Sequence, residues 1–342
     1  MPITPKPSFA FLVVTYNHQN YILEHLESIK YLVLTYGTDI DVDLIVNDDC
    51  SKDQTRRLLE IWLQINCGLF RNLTALYNTE NLGTCASVNN MLTYVITDRC
   101  KLTAGDDVYS HENIFELTKY DLNVAIISGR ALFLLGDTIV NNRLSNALAT
   151  ATQVIYENDS LFHRSKHFAY ANAPNVLYAT ECLLHPSVRT YLSRHDVTED
   201  WPLQVAIARH FPKRRYRLID KVLVYYRRTA GSTYIVANQR FSKDKILIYD
   251  DLIQHEANCV ERLRLRSRKF SFSINNKFLK KILNLDAYFF GLSLILNIMK
   301  IQSTNRKFIV DLDEHKKHYA SVAQNAVRFR SQFCNPDQHT GY

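Results

Sequence analysis

Apolar runs and helix-spaced apolar positions alternate along the first half of the chain. The run FAFLVV, residues 9–14, is continuous and rich in β-formers, which predicts a strand buried on both faces. Apolar residues then recur at helical spacing from Ile22 to Tyr36, and Gly37 predicts the helix stop. The alternation continues through VDLIV, TRRLLEIWLQI, LTALY, CASVNNMLTYVI and CKLTA, and LNVAIISGRALFLL predicts a fifth strand broken at Gly129. This order predicts an α/β fold with a mainly parallel sheet covered by helices.

Polar residues follow each of the first four predicted strands. They lie in TYN at 15–17, NDDCSKD at 47–53, NTENLG at 78–83 and GDD at 105–107. In open α/β sheets, ligands bind beyond the carboxyl ends of the strands. The sequence therefore predicts a polar rim, rich in Asn, Asp and Thr, along one edge of the sheet.

The character of the chain changes near residue 240, where basic and helix-forming residues dominate and the strand–helix alternation stops. We therefore divide the chain into an α/β region, residues 1–235, and a basic helical extension, residues 236–342. Within the extension, a basic cluster at 262–269 precedes the apolar run Tyr288–Ile301. Two interpretations stay open: a surface that meets anionic lipid and a lipid-linked acceptor, or a helical subdomain packed on the first region.

Composition narrows the class of protein. Of the 342 residues, 46% are hydrophobic and 22% are charged, which is typical of a globular chain. The formal charge of +7 favours an anionic partner, and nucleic acid, anionic lipid and nucleotide phosphates all fit. No C-x-x-C pair occurs among the seven cysteines, so neither zinc nor a disulfide framework is indicated. No secretory signal is visible, and Tyr288–Ile301 is shorter than the roughly 20 residues that span a bilayer, so we expect a cytoplasmic protein, with contact at the inner face of the membrane left open.

Glycine-rich phosphate loops are absent from the sequence. No G-x-G-x-x-G follows the first strand and no G-K-[ST] occurs anywhere, which argues against a Rossmann dehydrogenase or a P-loop enzyme. A nucleotide diphosphate then needs another source of positive charge. A divalent metal held by carboxylates would supply it.

Six segments together resemble the family 2 inverting glycosyltransferases with a GT-A fold, in particular bacterial surface-polysaccharide enzymes. In chain order they are FLVVTYNHQNYILEHLESI, LIVNDDCSKDQT, NTENLGTCASVNNM, LTAGDDV, TEDWPLQVAI and VLVYYRRTAGST. Each motif alone is weak, whereas six in the family's order over about residues 9–235 are specific. The resemblance implies a GT-A catalytic domain, with a nucleotide-binding half at about 1–110 and an acceptor half at about 111–235, followed by the helical extension.

The resemblance also implies a nucleotide site and a metal site. Asp49, with Asp48 beside it, would hydrogen-bond the base, since a carboxylate can accept from uracil N3–H. In AGDDV, Ala104 stands in place of the first aspartate of the family's D-x-D segment, so Asp106 would be the main ligand to Mn²⁺ or Mg²⁺, with Asp107 near the metal or the sugar. The full nucleotide-binding set implied is Thr15, Tyr16, Asn17, Asp48, Asp49, Asn81, Gly83, Asn89, Asp106, Arg227 and Arg228.

Glu199 and Asp200 resemble the family's E-D pair at the start of a helix. The resemblance implies that Asp200 is the general base for the acceptor hydroxyl, with Glu199 as the alternate. One displacement would then invert the anomeric configuration, giving a β-linkage from an α-linked donor. Thr229 stands where a histidine is frequent in the family, so Arg227 or Arg228 would supply the positive charge over the diphosphate.

The implied function is transfer of a sugar from a nucleotide diphosphate, with a UDP-sugar expected, to a saccharide or lipid-linked saccharide in cell-surface polysaccharide or lipopolysaccharide synthesis. Alternatives stay open. Ala104 and Thr229 keep a non-catalytic scaffold in view, and a nucleotidyltransferase could use a similar sheet, although TYNHQNY lacks its glycine-rich basic signature. Nucleic-acid binding is not expected, because no recognised motif accompanies the basic extension.

Purely structural roles compete for the same residues. Asp48 with Asp49 could form an Asx turn, Asp106 with Asp107 a solvated turn, and the 199–200 pair could favour its helix N-terminus. Tyr16 and Trp201 could be core aromatics, or Trp201 could stack on an acceptor sugar.

Overall fold

A seven-stranded sheet forms the centre of the protein. The computed structural model describes residues 6–119, 123–228, 238–274 and 276–334. The strands of the large sheet are β1 Ser8–Thr15, β2 Asp41–Asp48, β3 Asn72–Tyr77, β4 Arg99–Ala104, β6 Val124–Ser128, β9 Val176–Ala179 and β10 Arg215–Leu218. Their order is β10-β6-β9-β4-β1-β2-β3. The first four strands are parallel, as the sequence predicts, and β9 runs antiparallel between β4 and β6.

A second sheet has four strands, which are interleaved along the chain with those of the large sheet. Its strands are β5 Val108–Tyr109, β7 Leu132–Leu135, β8 Thr138–Val140 and β11 Val224–Arg227, in the order β5-β11-β7-β8. The predicted break at Gly129 is confirmed, because β6 and β7 belong to different sheets. A Cβ at Gly129 would lie 2.7 Å from the Lys221 carbonyl oxygen, so the crossing between the sheets needs a glycine.

Helices cover both faces of the large sheet. In chain order they are α1 Ile22–Tyr36, α2 Thr55–Asn66, α3 Thr84–Met91, α4 Arg143–Ile155, α5 Leu161–Lys166, α6 Thr180–Leu184, α7 Pro186–Leu192, α8 Asp200–His210, α9 Asn238–Gln254, α10 Cys259–Ser273, α11 Lys277–Ile282, α12 Leu285–Leu296, α13 Ile298–Asn305 and α14 Leu312–Phe329. Short 3₁₀ turns lie at Cys67–Leu69, Leu92–Tyr94, Ile114–Lys119 and Ala173–Asn175, and a π-helical turn follows α14 at Arg330–Cys334. Gly37 ends α1 as predicted.

The alternation of side chains along β1 divides the core in two. Phe9, Phe11 and Val13 pack with α1, α2 and the end of α14. Ala10 and Leu12 point to the other face, where α3, α7 and α8 pack together with α9 and α10.

The helices after residue 238 therefore join both layers of the core. On α9, Ile248 and Tyr249 are fully buried and Leu252 is nearly so, within the same cluster as α3 and α8. The predicted boundary at 235/236 falls within residues 229–237, which lie outside the described residues. The division therefore stays a prediction, and Thr229 belongs to the same undescribed segment. In the part of the chain described, no helix has the length and apolar character needed to cross a membrane.

Candidate active site

Backbone hydrogen bonds align the turns that follow the parallel strands. Asp49 N–H donates to the Thr15 carbonyl at 2.9 Å, and Gly105 N–H donates to the Val14 carbonyl at 2.8 Å. Asn78 N–H donates to the Asp48 carbonyl at 2.9 Å. These bonds bring the four predicted polar segments to one edge of the sheet.

The turns after β1 and β2 are cross-linked by side chains. Asn17 adopts a left-handed φ of 56°, and its N–H donates to Ser51 Oγ at 2.8 Å. Asn17 Oδ1 accepts the Lys52 N–H at 2.8 Å. The Asp48 carboxylate accepts the N–H and the hydroxyl of Ser51 at 3.0 and 2.5 Å, which is an Asx-type turn. Tyr16 is 40% exposed, so its ring is available at the rim rather than enclosed in the core.

Asp49 organises the next loop. Its buried carboxylate accepts Asn78 Nδ2 at 2.8 Å and the N–H groups of Leu82 and Gly83 at 2.8 and 3.0 Å. Gly83 has φ +88°, and a Cβ there would lie 2.3 Å from Asp196 Oδ1. The glycine is needed both for its backbone conformation and for the close approach of Asp196.

Two further predicted residues bind other side chains. Asn81 Oδ1 lies 3.4 Å from Arg240 Nη1 of α9. Asn89 Oδ1 accepts Arg189 Nε at 2.9 Å, which links α3 to α7. The amide of Asn89 is thus engaged between two helices, whereas Asn81 lies in the rim loop itself.

The two aspartates after β4 have different surroundings. Asp107 is buried, and its Oδ1 accepts the Arg227 N–H at 2.9 Å. Burial first, and the adjacent Asp106 charge second, hold the pKa of Asp107 well above its ordinary value. Asp106 is only partly buried, and its carboxylate accepts no hydrogen bond from the residues that the structure describes.

The two arginines of the YYRR segment also differ. The Arg227 guanidinium is buried, donates from Nε to the Asp106 carbonyl at 2.7 Å, and pairs with Glu24. The Glu24 charge raises the pKa of Arg227, although burial, the largest influence, acts the other way. Arg228 is exposed and lies over the Phe133 ring at 4.5 Å. Of the two, Arg228 presents its charge outward.

Glu199 and Asp200 begin α8. Burial, with the Asp200 charge second, raises the pKa of Glu199 to about 8, and burial also raises the pKa of Asp200. Asp200 Oδ1 accepts its neighbour's N–H, from Trp201, at 2.7 Å. The Trp201 ring packs edge-on against Tyr249 at 4.9 Å and donates Nε1–H to the Ser165 carbonyl at 2.8 Å, so the indole is part of the packing around α8.

Lys101 interacts electrostatically with both Asp107 and Glu199, and sequence reasoning did not find it. Its side chain is fully buried in β4, and Nζ donates to the Leu102 carbonyl at 2.6 Å. Burial lowers the pKa of Lys101 to about 7, while the charges of Asp107 and Glu199 act in the opposite direction. A lysine inside a predicted buried strand, CKLTA, was the available signal, because lysine is almost never fully buried unless it is paired.

Comparison with known proteins relates the first half of the chain to a sequence family. Residues 10–171 match the family model described as glycosyl transferase family 2. These residues belong to glycosyl transferase family 2. No curated protein matches the chain by sequence.

Several solved structures share the fold. S. aureus TarS 1–349 in complex with UDP-GlcNAc has a TM-score of 0.54 at 15% identity, over 93% of this chain and 92% of that one. In the longer S. aureus TarS structure, the match covers 94% of this chain and 54% of that one, at 14% identity and a TM-score of 0.53. Mannosyltransferase PcManGT from Pyrobaculum calidifontis, in complex with GDP-Man and Mn²⁺, has a TM-score of 0.51 at 13% identity, over 95% and 88% of the two chains. At such identities the likeness concerns the fold, and the predicted GT-A fold class is confirmed.

The turn after β4 in this glycosyltransferase fold suits a hard divalent cation. Mn²⁺ and Mg²⁺ prefer carboxylate and phosphate oxygens. Asp106 offers a partly exposed carboxylate that no described group satisfies. Asp107 keeps one carboxylate oxygen beyond the bond to Arg227. The residues present therefore fit such a cation.

A residue of the extension orders the loop before Glu199. The Asp244 side chain on α9 is 1% exposed, and its carboxylate accepts the N–H groups of Asp196, Val197 and Thr198 at 2.8–3.1 Å. This loop leads directly into Glu199. Sequence reasoning did not find Asp244, because its partners lie more than 40 positions earlier in the chain.

We expect Asp244→Ala to destabilise the protein by about 3 kcal/mol, because three N–H groups would lose a charged acceptor. Thermal and urea unfolding measure this effect, and transfer activity should fall with it as the loop before Glu199 loosens. Asp250→Ala on the same helix is the matched control. Its half-exposed pair with Lys269 should contribute no more than about 0.5 kcal/mol. Equal stability of the two variants would contradict the role given to Asp244.

Proposed function

We propose that the protein is an inverting, metal-dependent glycosyltransferase. It moves a sugar from a nucleotide diphosphate donor, expected to be a UDP-sugar, to a saccharide or lipid-linked saccharide in cell-surface polysaccharide or lipopolysaccharide synthesis. The observation that carries the proposal is the Asp106 carboxylate at the sheet edge, which accepts no hydrogen bond from the described residues. Its neighbour Asp107 is linked electrostatically through Lys101 to Glu199 at the head of α8. A metal-bound diphosphate and a general base are the two groups that such a transfer needs.

The donor class rests on the rim and on the related structures. TarS is known with UDP-GlcNAc and with UDP, and PcManGT with GDP-Man and Mn²⁺. In this chain, Asp49, Tyr16 and the turn at Asn17 would receive the base and ribose, as the family resemblance implies. The Asp49 carboxylate already accepts three hydrogen bonds, which fix its orientation. A hydrogen bond from the base would therefore be made to a carboxylate that is already ordered.

Charge on the departing diphosphate is the costly part of the reaction. A divalent cation held by Asp106, with Asp107 beside it, would neutralise that charge when bound. Arg228 is the predicted arginine whose charge faces outward, and it would add to this stabilisation. Arg227 would instead position the turn that carries Asp106, because its guanidinium binds Glu24 and the carbonyl of Asp106. Removing one such stabilising group costs about 10²–10³-fold in rate.

Asp200 is the proposed base. Its Oδ1 accepts the Trp201 N–H, and its other oxygen would take the proton of the acceptor hydroxyl as that oxygen attacks the anomeric carbon. The bond from the anomeric carbon to the diphosphate breaks, and its electron pair leaves with the nucleotide. At neutral pH the raised pKa keeps Glu199 protonated, so the pair holds a single negative charge on Asp200.

Asp200→Asn should lower sugar transfer by about 10²–10⁴-fold, because an amide cannot accept the proton. Donor affinity, measured by calorimetry, should stay unchanged. Glu199→Gln is the matched control and should keep transfer within about tenfold at pH 7, because the glutamine resembles a protonated glutamate. The reverse ranking of the two variants would move the base to Glu199.

The pH dependence of kcat/KM is a second test of Asp200 as the base. Because burial raises the pKa of Asp200, its carboxylate remains protonated up to a higher pH than an ordinary aspartate. We therefore expect kcat/KM to be lost as the pH falls through a midpoint above about 3.9, the ordinary aspartate value. A midpoint at or below that value would contradict a buried aspartate base.

Calorimetric titration tests the function itself. UDP, GDP, dTDP and CMP are each titrated with Mn²⁺, Mg²⁺ or EDTA, into the unaltered protein and into Asp106→Ala. We expect UDP to bind only with a metal, and Asp106→Ala to weaken that binding at least about tenfold by removing the principal ligand. Asp250→Ala, which changes an α9 residue outside the proposed site, should bind UDP as the unaltered protein does. Absence of nucleotide binding under every condition would favour the scaffold alternative.

Peripheral membrane contact is the second part of the proposal. Apolar side chains on α12 and α13 are strongly exposed, including Leu296 at 75% and Met299 at 77%. The basic cluster supports it less, because Arg264 and Arg268 bind Asp286 and Lys269 binds Asp250. We therefore attribute the contact to the apolar face, which would enter the interfacial region of a lipid surface.

Liposome co-sedimentation measures this contact. The unaltered protein should sediment with anionic vesicles at low salt, and Leu296→Glu should weaken sedimentation several-fold because a charge would enter the apolar face. Ile96→Glu, at a 74% exposed residue on another part of the surface, is the matched control. Failure of the unaltered protein to sediment would refute membrane contact. A dimer that Leu296→Glu dissociates would assign the face to self-association.

A further inference from the structure

A second cluster of ligand-type side chains lies away from the proposed active site. His163 on α5 and His167 just after it are four residues apart, with ring centroids 4.6 Å apart. Glu261 on α10 meets them from the extension. One potential ligand atom from each of these three residues lies within 4.8 Å of the others. The described residues contain no other group of three His, Cys, Asp or Glu side chains this close.

Two polar atoms in this cluster face each other at short range. His167 Nε2 and Glu261 Oε2 are both buried and form an ion pair at 2.5 Å, and neither has another partner among the described residues. The His167 side chain is only 1% exposed. Each of these two atoms therefore depends on the other alone, and a cation bound to both in place of the imidazole proton would satisfy both.

Neighbouring groups hold the cluster in an orientation suited to metal binding. Asp286 Oδ1 lies 2.9 Å from His167 Nδ1, which leaves Nε2 as the nitrogen directed at the cluster. A carboxylate on the second nitrogen is the usual support for a metal-binding histidine. Arg264 donates to the other oxygen of Glu261, Oε1, at 2.8 Å. Asp159 Oδ2 lies 4.0 Å from His163 Nε2.

The nearby positive charges are already paired. Arg264 and Arg268 bind Asp286 at 2.7 and 3.0 Å, and Lys166 binds Glu256 at 2.5 Å. Their charge is therefore balanced by carboxylates other than the Oε2 atom of Glu261. A cation would replace the proton shared by His167 and Glu261 and would leave these other ion pairs in place.

We propose that His163, His167 and Glu261 form a binding site for a divalent transition metal of the zinc class. Two imidazole nitrogens and one carboxylate oxygen suit Zn²⁺ and Co²⁺ rather than Mg²⁺ or Mn²⁺, and a water can complete the fourth position. Atoms bound to one zinc at roughly 2.0–2.1 Å lie at most about 4.2 Å apart, so the three side chains need only small rotations.

The position of the site gives it a structural role. Its ligands come from α5 in the catalytic half and from α10 in the extension, so the metal would fasten one to the other. Ser165, between the two histidines, accepts Trp201 Nε1–H at 2.8 Å, and Trp201 follows the proposed base. A metal here would restrain α5 and, through this bond, the start of α8.

Metal binding is tested with the full chain carrying Asp106→Ala, without nucleotide, so that the predicted diphosphate metal does not contribute. After treatment with a chelator, Zn²⁺ is titrated by calorimetry and Co²⁺ by visible absorption. We expect one equivalent, a four-coordinate Co²⁺ spectrum and a higher Tm with Zn²⁺. His163→Gln and Glu261→Gln should each weaken Zn²⁺ binding at least about tenfold, because each removes a direct ligand.

Matched controls separate this site from incidental binding. His255→Gln removes a 61% exposed histidine on α9, and Cys259→Ser removes an exposed thiol near Glu261, and both should bind Zn²⁺ unchanged. His163 has a 34% exposed side chain, so its variant should fold even where a change at buried His167 does not. Absence of Zn²⁺ and Co²⁺ binding at micromolar concentrations, or unchanged binding in both ligand variants, would overturn the proposal.

Discussion

The Asp107 carboxylate accepts the backbone N–H of Arg227 at 2.9 Å, and the rest of the candidate site depends on this contact. It ties the turn after β4 to β11, and so joins the large sheet to the small one. The Arg227 side chain returns to the same turn through the Asp106 carbonyl. With the turn fixed from both directions, the Asp106 carboxylate is left partly exposed, with no hydrogen bond from the part of the chain that the structure describes. Removing this acceptor would leave the buried Arg227 N–H unsatisfied, which typically costs about 1–3 kcal/mol, so the contact supports the turn.

Buried and half-buried ionisable groups extend from this turn to the head of α8. Asp107, Lys101 and Glu199 form a chain of electrostatic neighbours inside the protein. Each is displaced from its ordinary pKa mainly by burial: the acids upward and the lysine downward. Burial of ionisable groups such as Asp107 and Lys101 is unfavourable for folding, and strongly perturbed groups cluster at functional sites. The cluster is easier to explain by chemistry at the sheet edge than by stability.

The sequence predicts well what depends on local periodicity. The strand at β1, the helix ending at Gly37 and the break at Gly129 follow from side-chain spacing and from glycine. The rim also follows, because parallel strands place their carboxyl ends on one edge. The partners of individual side chains do not follow. Asn89 and Asp48 have the residue types of a binding motif, yet one amide joins two helices and one carboxylate closes its own turn.

Residues that act across long sequence separations escape this kind of inference. Asp244 holds a loop more than 40 residues earlier in the chain, and Glu261 meets histidines nearly 100 residues earlier. Only tertiary packing brings such groups together, and no spacing rule encodes it.

The same packing shows why the helices after residue 238 matter to the site. Tyr249 on α9 contacts Trp201 beside the proposed base, while Tyr319 on α14 shares a core with the small sheet that carries Arg227. One helix thus supports the acceptor side and the other supports the diphosphate side. A chain ending at 235 would expose both apolar surfaces and leave the loop before Glu199 without its acceptor. The geometry of the acidic pair is therefore set as much by the basic extension as by the strands that the family motifs mark.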